Sequence, residues 1–157
     1  YAYPALRRQY LAAVAPMYRE KDYRLLFRLA NHRHPRLCAV FGLDALALAY
    51  LQAAVPTCRF AALPIEAEAN ELAEALQGGR CDMVFAKNLA CKALPELLRQ
   101  RGDAFVLAAG GIHGKGRKAW QDFIGQKAVR VTFDLYDFGI AFFEERLNKQ
   151  DYIINYY

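Results

Sequence analysis

A three-layer α/β domain with a mainly parallel sheet, N-terminal helices and a C-terminal antiparallel β-hairpin is the fold predicted for this chain of 157 residues, on three observations. From residue 57 onward short apolar runs alternate with amphipathic stretches, the pattern of β-α repeats joined by right-handed crossovers. Residues 1 to 56 carry helical periodicity instead. Near the C-terminus two apolar, aromatic runs flank a polar turn, as in a hairpin. The length suits one domain, with a helical lead over 1–56, β-α repeats over 57–135 and a terminal hairpin over 136–157.

Pro4 suits a first helical turn, and Leu6, Tyr10, Leu11, Val14 and Met17 recur at helical spacing, so a helix is expected over 4–18. A second, short helix takes Tyr23 to Leu29 and breaks at Asn31 to Pro35, because proline disfavours helical geometry in the residue before it. A third, apolar on nearly every side, is expected from about Pro35 to Ala54. Strands are then read at Cys58–Leu63, Asp82–Ala86, Ala104–Ala109 and Ala128–Phe133, with helices at 65–77, 88–100 and 117–124 between them. Gly78-Gly79 and Arg101-Gly102 stop the first two of these helices. Phe138–Phe143 and Tyr152–Tyr157 form the expected hairpin.

Hydrophobic residues make up 55% of the chain and charged ones 24%, which excludes the disordered class. The longest weakly charged stretch, Leu37 to Pro56, holds Gly42 and Asp44 and suits a buried helix; no membrane span is expected. Net charge is +5, but it alternates in blocks: +6 over 1–36, −4 over 37–78, +6 over 79–130 and −3 over 131–157. Such basic blocks fit an anionic ligand, nucleic acid or an acidic protein surface, or pairing with the acidic blocks. Cys38, Cys58, Cys81 and Cys91 contain no CxxC spacing, so neither a zinc ribbon nor a redox pair is indicated. Buried thiols in a cytoplasmic protein are the first reading, and disulfides in an exported one, with Cys58 near Cys81, the alternative.

The most informative segment is Gly110-Gly111-Ile112-His113-Gly114-Lys115-Gly116-Arg117-Lys118, which follows an apolar strand and leads into a helix. Glycines permit close approach to the backbone, and Lys115, Arg117 and Lys118 supply positive charge, so the loop is a candidate anion site at the carboxyl end of a strand. It lacks the Gly-Lys-Ser/Thr ending of a P-loop and the order of the dinucleotide fingerprint. Over Ile112 to Gly116 it resembles the Ile-His-Gly-Lys-Gly segment of Smr domains, which are nucleic-acid-binding and nicking modules. The Leu-Asp-Leu-His-Gly box of that family is missing, its nearest counterpart being Leu63-Pro64-Ile65-Glu66-Ala67, so the chain is not assigned to it.

Other constellations are less specific. His32, His34 and Cys38 could face one another, but no carboxylate accompanies them and no metal is assigned. Glu71 and Glu74 form a solvated pair, whereas Asp134 and Asp137 stand at a strand boundary where residues gather around ligands. The chain has no serine, which excludes a Ser–His–Asp hydrolase, and Asp137-Phe138-Gly139 lacks every companion motif of a kinase. Tyrosines cluster at both ends, so the terminal strand could meet a protein partner.

On the residues alone the favoured function is a non-catalytic binding domain, without a cofactor, that holds an anionic ligand or partner through Gly110, Gly111, His113, Gly114, Lys115, Gly116, Arg117 and Lys118. The alternative is a small enzyme acting on a phosphate- or carboxylate-bearing substrate, with His113 as acid/base and Lys115 and Arg117 as anion clamp.

Overall fold

A computed structural model describes residues 17–155, in which the chain runs α1 (Glu20–Arg33), β1 (Leu37–Phe41), α2 (Ala45–Ala54), β2 (Arg59–Leu63), α3 (Ala69–Leu76), β3 (Met83–Ala86), α4 (Leu94–Gln100), β4 (Val106–Gly110), a 3₁₀ turn (Gly114–Gly116), α5 (Arg117–Ile124), β5 (Val131–Asp134), β6 (Phe138–Phe142) and β7 (Gln150–Ile153). The helix expected over 4–18 falls almost wholly outside the described residues, as do Tyr156 and Tyr157.

All seven strands form one sheet in the order β2-β1-β3-β4-β6-β5-β7. β2, β1, β3 and β4 pair in parallel; β6 is antiparallel to both β4 and β5, and β7 is parallel to β5. Helices cover both faces, giving three layers. On one face Leu72, Leu76, Leu94, Leu97, Trp120 and Phe123 of α3, α4 and α5 close over the sheet. On the other, Tyr23, Leu26 and Ala30 of α1 interlock with Leu46, Tyr50 and Leu51 of α2, and the rings of Tyr23 and Tyr50 stack 5.4 Å apart.

The expected fold class stands, with two local differences. The segment read as one helix from Pro35 to Ala54 is a strand, a turn and a helix. Leu37–Phe41 is buried at every position, as a central parallel strand is on both faces, so its apolar run carries no period that separates it from a buried helix. Gly42 turns the chain with φ +68°, and Asp44 caps α2, its side chain accepting from the Ala47 amide. The second difference is at the C-terminus. The antiparallel hairpin there joins β5 to β6 through the turn at Leu135–Asp137, whereas of the segment expected to pair with β6 only Tyr152 and Ile153 are strand, in β7, which begins at Gln150 and lies parallel to β5 at the sheet edge. Thr132 donates to Asp151, and the Tyr152 ring stacks on Phe133 at 5.3 Å, which fixes that edge.

Candidate functional site around His113

Because β1, β3, β4 and β5 share one direction, their carboxyl ends gather at one rim, where ligands of open α/β sheets bind. Strand order reverses between β1 and β3, since the chain goes from β1 outward to β2 and returns to β3 on the other side.

His113 follows β4 on this rim, and Asp134 ends β5. Ala109 of β4 and Asp134 both register with Gly139 of the intervening β6, so the loop after β4 needs to reach across one strand to meet Asp134. It does so: His113 Nε2 lies 2.9 Å from Asp134 Oδ1. Arg117, in the first turn of α5, donates to Asp134 Oδ2 at 2.9 Å, and the Tyr136 amide donates to Oδ1 at 2.9 Å. The Asp134 side chain is only 6% exposed. Burial alone would raise its carboxyl, but the hydrogen bonds from His113, the Tyr136 amide and Arg117 outweigh that and hold it below the usual aspartate range.

Tyr136, with φ +73°, projects its ring over the His113 imidazole, the two stacking 4.5 Å apart. Beside them a cleft of about 450 Å³ is lined by Met17, Tyr18, Arg19, Asp22, Gly111, Ile112, His113, Gly114, Tyr136 and Asp137. Its volume is that of a small-molecule site. Arg19 closes one side by donating through Nε to Asp137 Oδ2 at 2.7 Å. Tyr18 adds a buried hydroxyl that has no hydrogen-bond partner among the described residues. A larger opening, about 1030 Å³, lies at the amino end of β4 among Arg99, Arg101, Lys127 and Arg130. Its arginines are engaged internally: Arg99 with Glu96, Arg101 with the Leu98 carbonyl and Arg130 with that of Leu147.

The residues singled out in the sequence separate into two groups. His113 and Arg117 come together with Asp134. Lys115 and Lys118 are exposed and do not line the cleft beside His113, and Arg117 is paired with the Asp134 carboxylate. Two of the glycines, Gly110 and Gly116, serve close backbone packing. A Cβ on Gly116 would stand 1.6 Å from the Gly111 carbonyl oxygen, and one on Gly110 would stand 2.7 Å from that of Lys87, so the loop folds tightly on itself and on the end of β3. His34 caps α1 in a left-handed conformation while Cys38 lies inside β1, and no cluster of three metal-binding side chains occurs among the described residues. All four cysteines are free thiols; β1 lies between the strands that follow Cys58 and Cys81. No described helix is long and apolar enough to cross a membrane.

Sequence alone distinguishes neither Tyr136 nor Arg19, whereas in Gly42-Leu43-Asp44 a glycine followed by a helix-capping aspartate marks a strand-to-helix turn.

No protein-family model matches the chain, and no curated protein matches it by sequence. Solved structures do match. The O-methyltransferase TomG from Streptomyces achromogenes, in complex with SAM, is 18% identical with a TM-score of 0.59, covering 90% of this chain and 87% of that one. An O-methyltransferase from Bacillus cereus in complex with SAH is 13% identical, TM-score 0.61, covering 89% of each chain. A putative caffeoyl-CoA O-methyltransferase from Staphylococcus aureus is 11% identical, TM-score 0.65, covering 90% and 91%. At these identities the likeness shows the fold, a Rossmann-like α/β fold of methyltransferases. It also overturns the favoured expectation of a non-catalytic domain holding an anion at a basic glycine loop: the structures that share this fold over most of their length are methyltransferases, and Arg117 of the loop is committed to Asp134.

Proposed function

We propose that this chain is a methyltransferase that methylates a hydroxyl group of a small molecule in the cleft beside His113. The observation that carries the reading is the His113–Asp134 pair, set at the carboxyl rim of a methyltransferase fold, with His113 lining a cleft of about 450 Å³.

The donor seen in similar structures, SAM, supplies an electrophilic methyl group when bound. Its nucleoside end has counterparts here. Glu66 lies three residues beyond β2, exposed and without a partner among the described residues, and a carboxylate in that place suits a ribose diol. Gly42 makes the left-handed turn at the strand-order reversal that leads β1 into α2, with Lys87 and Ile65 packed against it.

The chain's own contribution is proton handling and orientation. An ionised Asp134 accepts the Nε2 proton of His113, which leaves Nδ1 with the lone pair of a base. As the imidazole takes a proton from an acceptor hydroxyl, the Asp134 carboxylate stabilises the imidazolium that forms. Arg117 and the Tyr136 amide keep that carboxylate charged and fixed. Stacking with Tyr136 sets the plane of the ring. A positioned general base of this kind contributes about 10²–10⁴ in rate.

The test is transfer of labelled methyl from SAM to a panel of phenols, catechols and aliphatic alcohols. His113→Ala and His113→Asn should lower turnover by about 10²-fold or more with the fold retained. Unchanged turnover in both variants rules out His113 as the base.

A further inference from the structure

The opening at the amino end of β4 is built across three strands. β6 lies between β4 and β5, so the turn before β4 and the turn before β5 face each other over the last residues of β6. Arg101 and Asp103 stand on one wall of this cleft of about 1030 Å³, Lys127 and Arg130 on the other, with Phe143 and Glu145 between them.

The bonds that fix the two half-buried arginines leave their charge in place. Arg101 Nη1 donates to the Leu98 carbonyl, and its guanidinium lies over the Phe143 ring, 5.1 Å from the centroid. Arg130 donates through Nε to the Leu147 carbonyl at 3.0 Å and through Nη1 to the Lys127 carbonyl at 3.3 Å. A neutral carbonyl orients a guanidinium without cancelling it. Arg101 Nη2, Arg130 Nη2 and Lys127 Nζ have no partner among the described residues. Lys149 ties down the turn that carries Lys127 by donating to the Ile124, Gln126 and Val129 carbonyls.

Carboxylates share the cleft but stand apart from these donors. Glu96 offsets Arg99. Asp103 accepts from the Glu145 amide at 3.3 Å, which sets both acids where the first wall meets the end of β6, and neither is paired with Arg101, Arg130 or Lys127. With Glu96 included, four cations face three carboxylates, so the placing of charge distinguishes the cleft more than its excess.

The geometry points to a second binding site here, one for a compact polyphosphate, a chain of two or more phosphoryl groups. Guanidinium forks hold phosphate oxygens bidentately, and such a chain offers oxygens to Arg101, Arg130 and Lys127 together. Asp103 and Glu145 repel a longer polyanion that runs the length of the cleft. A ligand with an apolar body has little to bury against, since Ala128 and Phe143 are the apolar side chains of the lining and Arg101 covers the Phe143 face. That cover also leaves no ring on which a nucleobase could stack. The site lies at the opposite end of β4 from His113 and stands whether or not the rim at His113 transfers methyl groups.

Calorimetric titration of the whole chain with tripolyphosphate, orthophosphate and ATP, without divalent cations, tests this. Tripolyphosphate is expected to bind at one site, about tenfold or more tightly than orthophosphate, with ATP within about threefold of it and added salt weakening both. Arg101→Gln, Arg130→Gln and the exposed Lys127→Glu should each weaken tripolyphosphate by about tenfold, and Lys115→Ala, which removes a cation at the other end of β4, by less than about twofold. Lys127→Glu carries the test where loss of a carbonyl bond unfolds an arginine variant. Absence of binding at millimolar tripolyphosphate, unchanged affinity in Lys127→Glu, or an equal loss in Lys115→Ala overturns the site. A single-stranded RNA bound more tightly than tripolyphosphate and lost in the same variants assigns the cleft to nucleic acid and overturns it too.

Discussion

His113 Nε2 and Asp134 Oδ1 stand 2.9 Å apart although the two residues belong to the loop after β4 and the end of β5, with β6 between those strands. The pair is therefore a product of sheet topology. It joins a half-buried imidazole to a buried carboxylate already held by Arg117, an arrangement that costs stability to break and that fixes the imidazole on the rim.

Replacing Asp134 with Asn is expected to lower stability at neutral pH by about 1–3 kcal/mol, less than for a fully buried pair because His113 and Arg117 are partly solvated. The sign of the pH dependence follows from the lowered carboxyl of Asp134. A carboxyl depressed on folding contributes fully above the unfolded pKa of about 3.9 and loses that contribution as pH falls through its folded value. Denaturant titrations from pH 7 to pH 2 should show a shallower acid decline in D134N than in the unaltered chain. An identical decline means that Asp134 is not held ionised by its partners.

The glycine loop should respond to volume and be indifferent to charge. Gly116→Ala forces a Cβ into the Gly111 carbonyl and is expected to cost about 1–3 kcal/mol. Lys115→Ala with Lys118→Ala, both at exposed positions, should change stability by less than about 0.5 kcal/mol each. Thermal melting distinguishes the two; a G116A protein that melts with the unaltered chain contradicts the packed loop.

Gly139 is the floor on which Trp120 rests. A Cβ there would lie 2.5 Å from the indole ring, so Gly139→Ala should destabilise by about 1–3 kcal/mol. Trp120→Leu removes the ring atoms that the new methyl meets. In a double-mutant cycle Gly139→Ala should therefore cost less in a chain that already carries Trp120→Leu, and additivity would show that the two sites are uncoupled.

The four thiols should react unequally with an aromatic disulfide reagent. Burial pushes the Cys58 thiol up to about 11 and the fully buried Cys38 thiol well above its ordinary value. The folded protein should label slowly, first at the half-buried Cys58, and the denatured protein should label at all four. Fewer than four labelled sites after denaturation without reductant would reveal a disulfide.

The α/β class was legible because strands from β2 to β4 alternate with helices ended by Gly78-Gly79 and Arg101-Gly102, local signals that no distant contact overrides. β1 was not, since Leu37–Phe41 is apolar on both faces and only the Gly42–Asp44 turn marks it off from α2. The last strand is legible only at Tyr152 and Ile153, since Gln150 and Asp151 of β7 belong to the polar stretch that reads as a turn, and its partner depends on sheet order, which a sequence period does not encode. At the site, His113 stood out by its setting among glycines and Asp134 by its place at a strand end. Their union did not, because they lie 21 positions apart in sequence with β6 between their strands, and only the folded register brings such side chains together. Arg117 has in sequence the setting of a cation for a ligand, and its commitment to Asp134 is equally non-local.

The measurement closest to the central claim is a crystal structure of the chain grown with SAH. The account predicts the nucleoside on the β1–β3 rim with its ribose hydroxyls at Glu66, and the cleft at His113 and Tyr136 left open for an acceptor. Crystals at millimolar SAH with no nucleoside on the β1–β3 rim, or with the nucleoside bound away from it, would contradict the assignment of this site to methyl transfer.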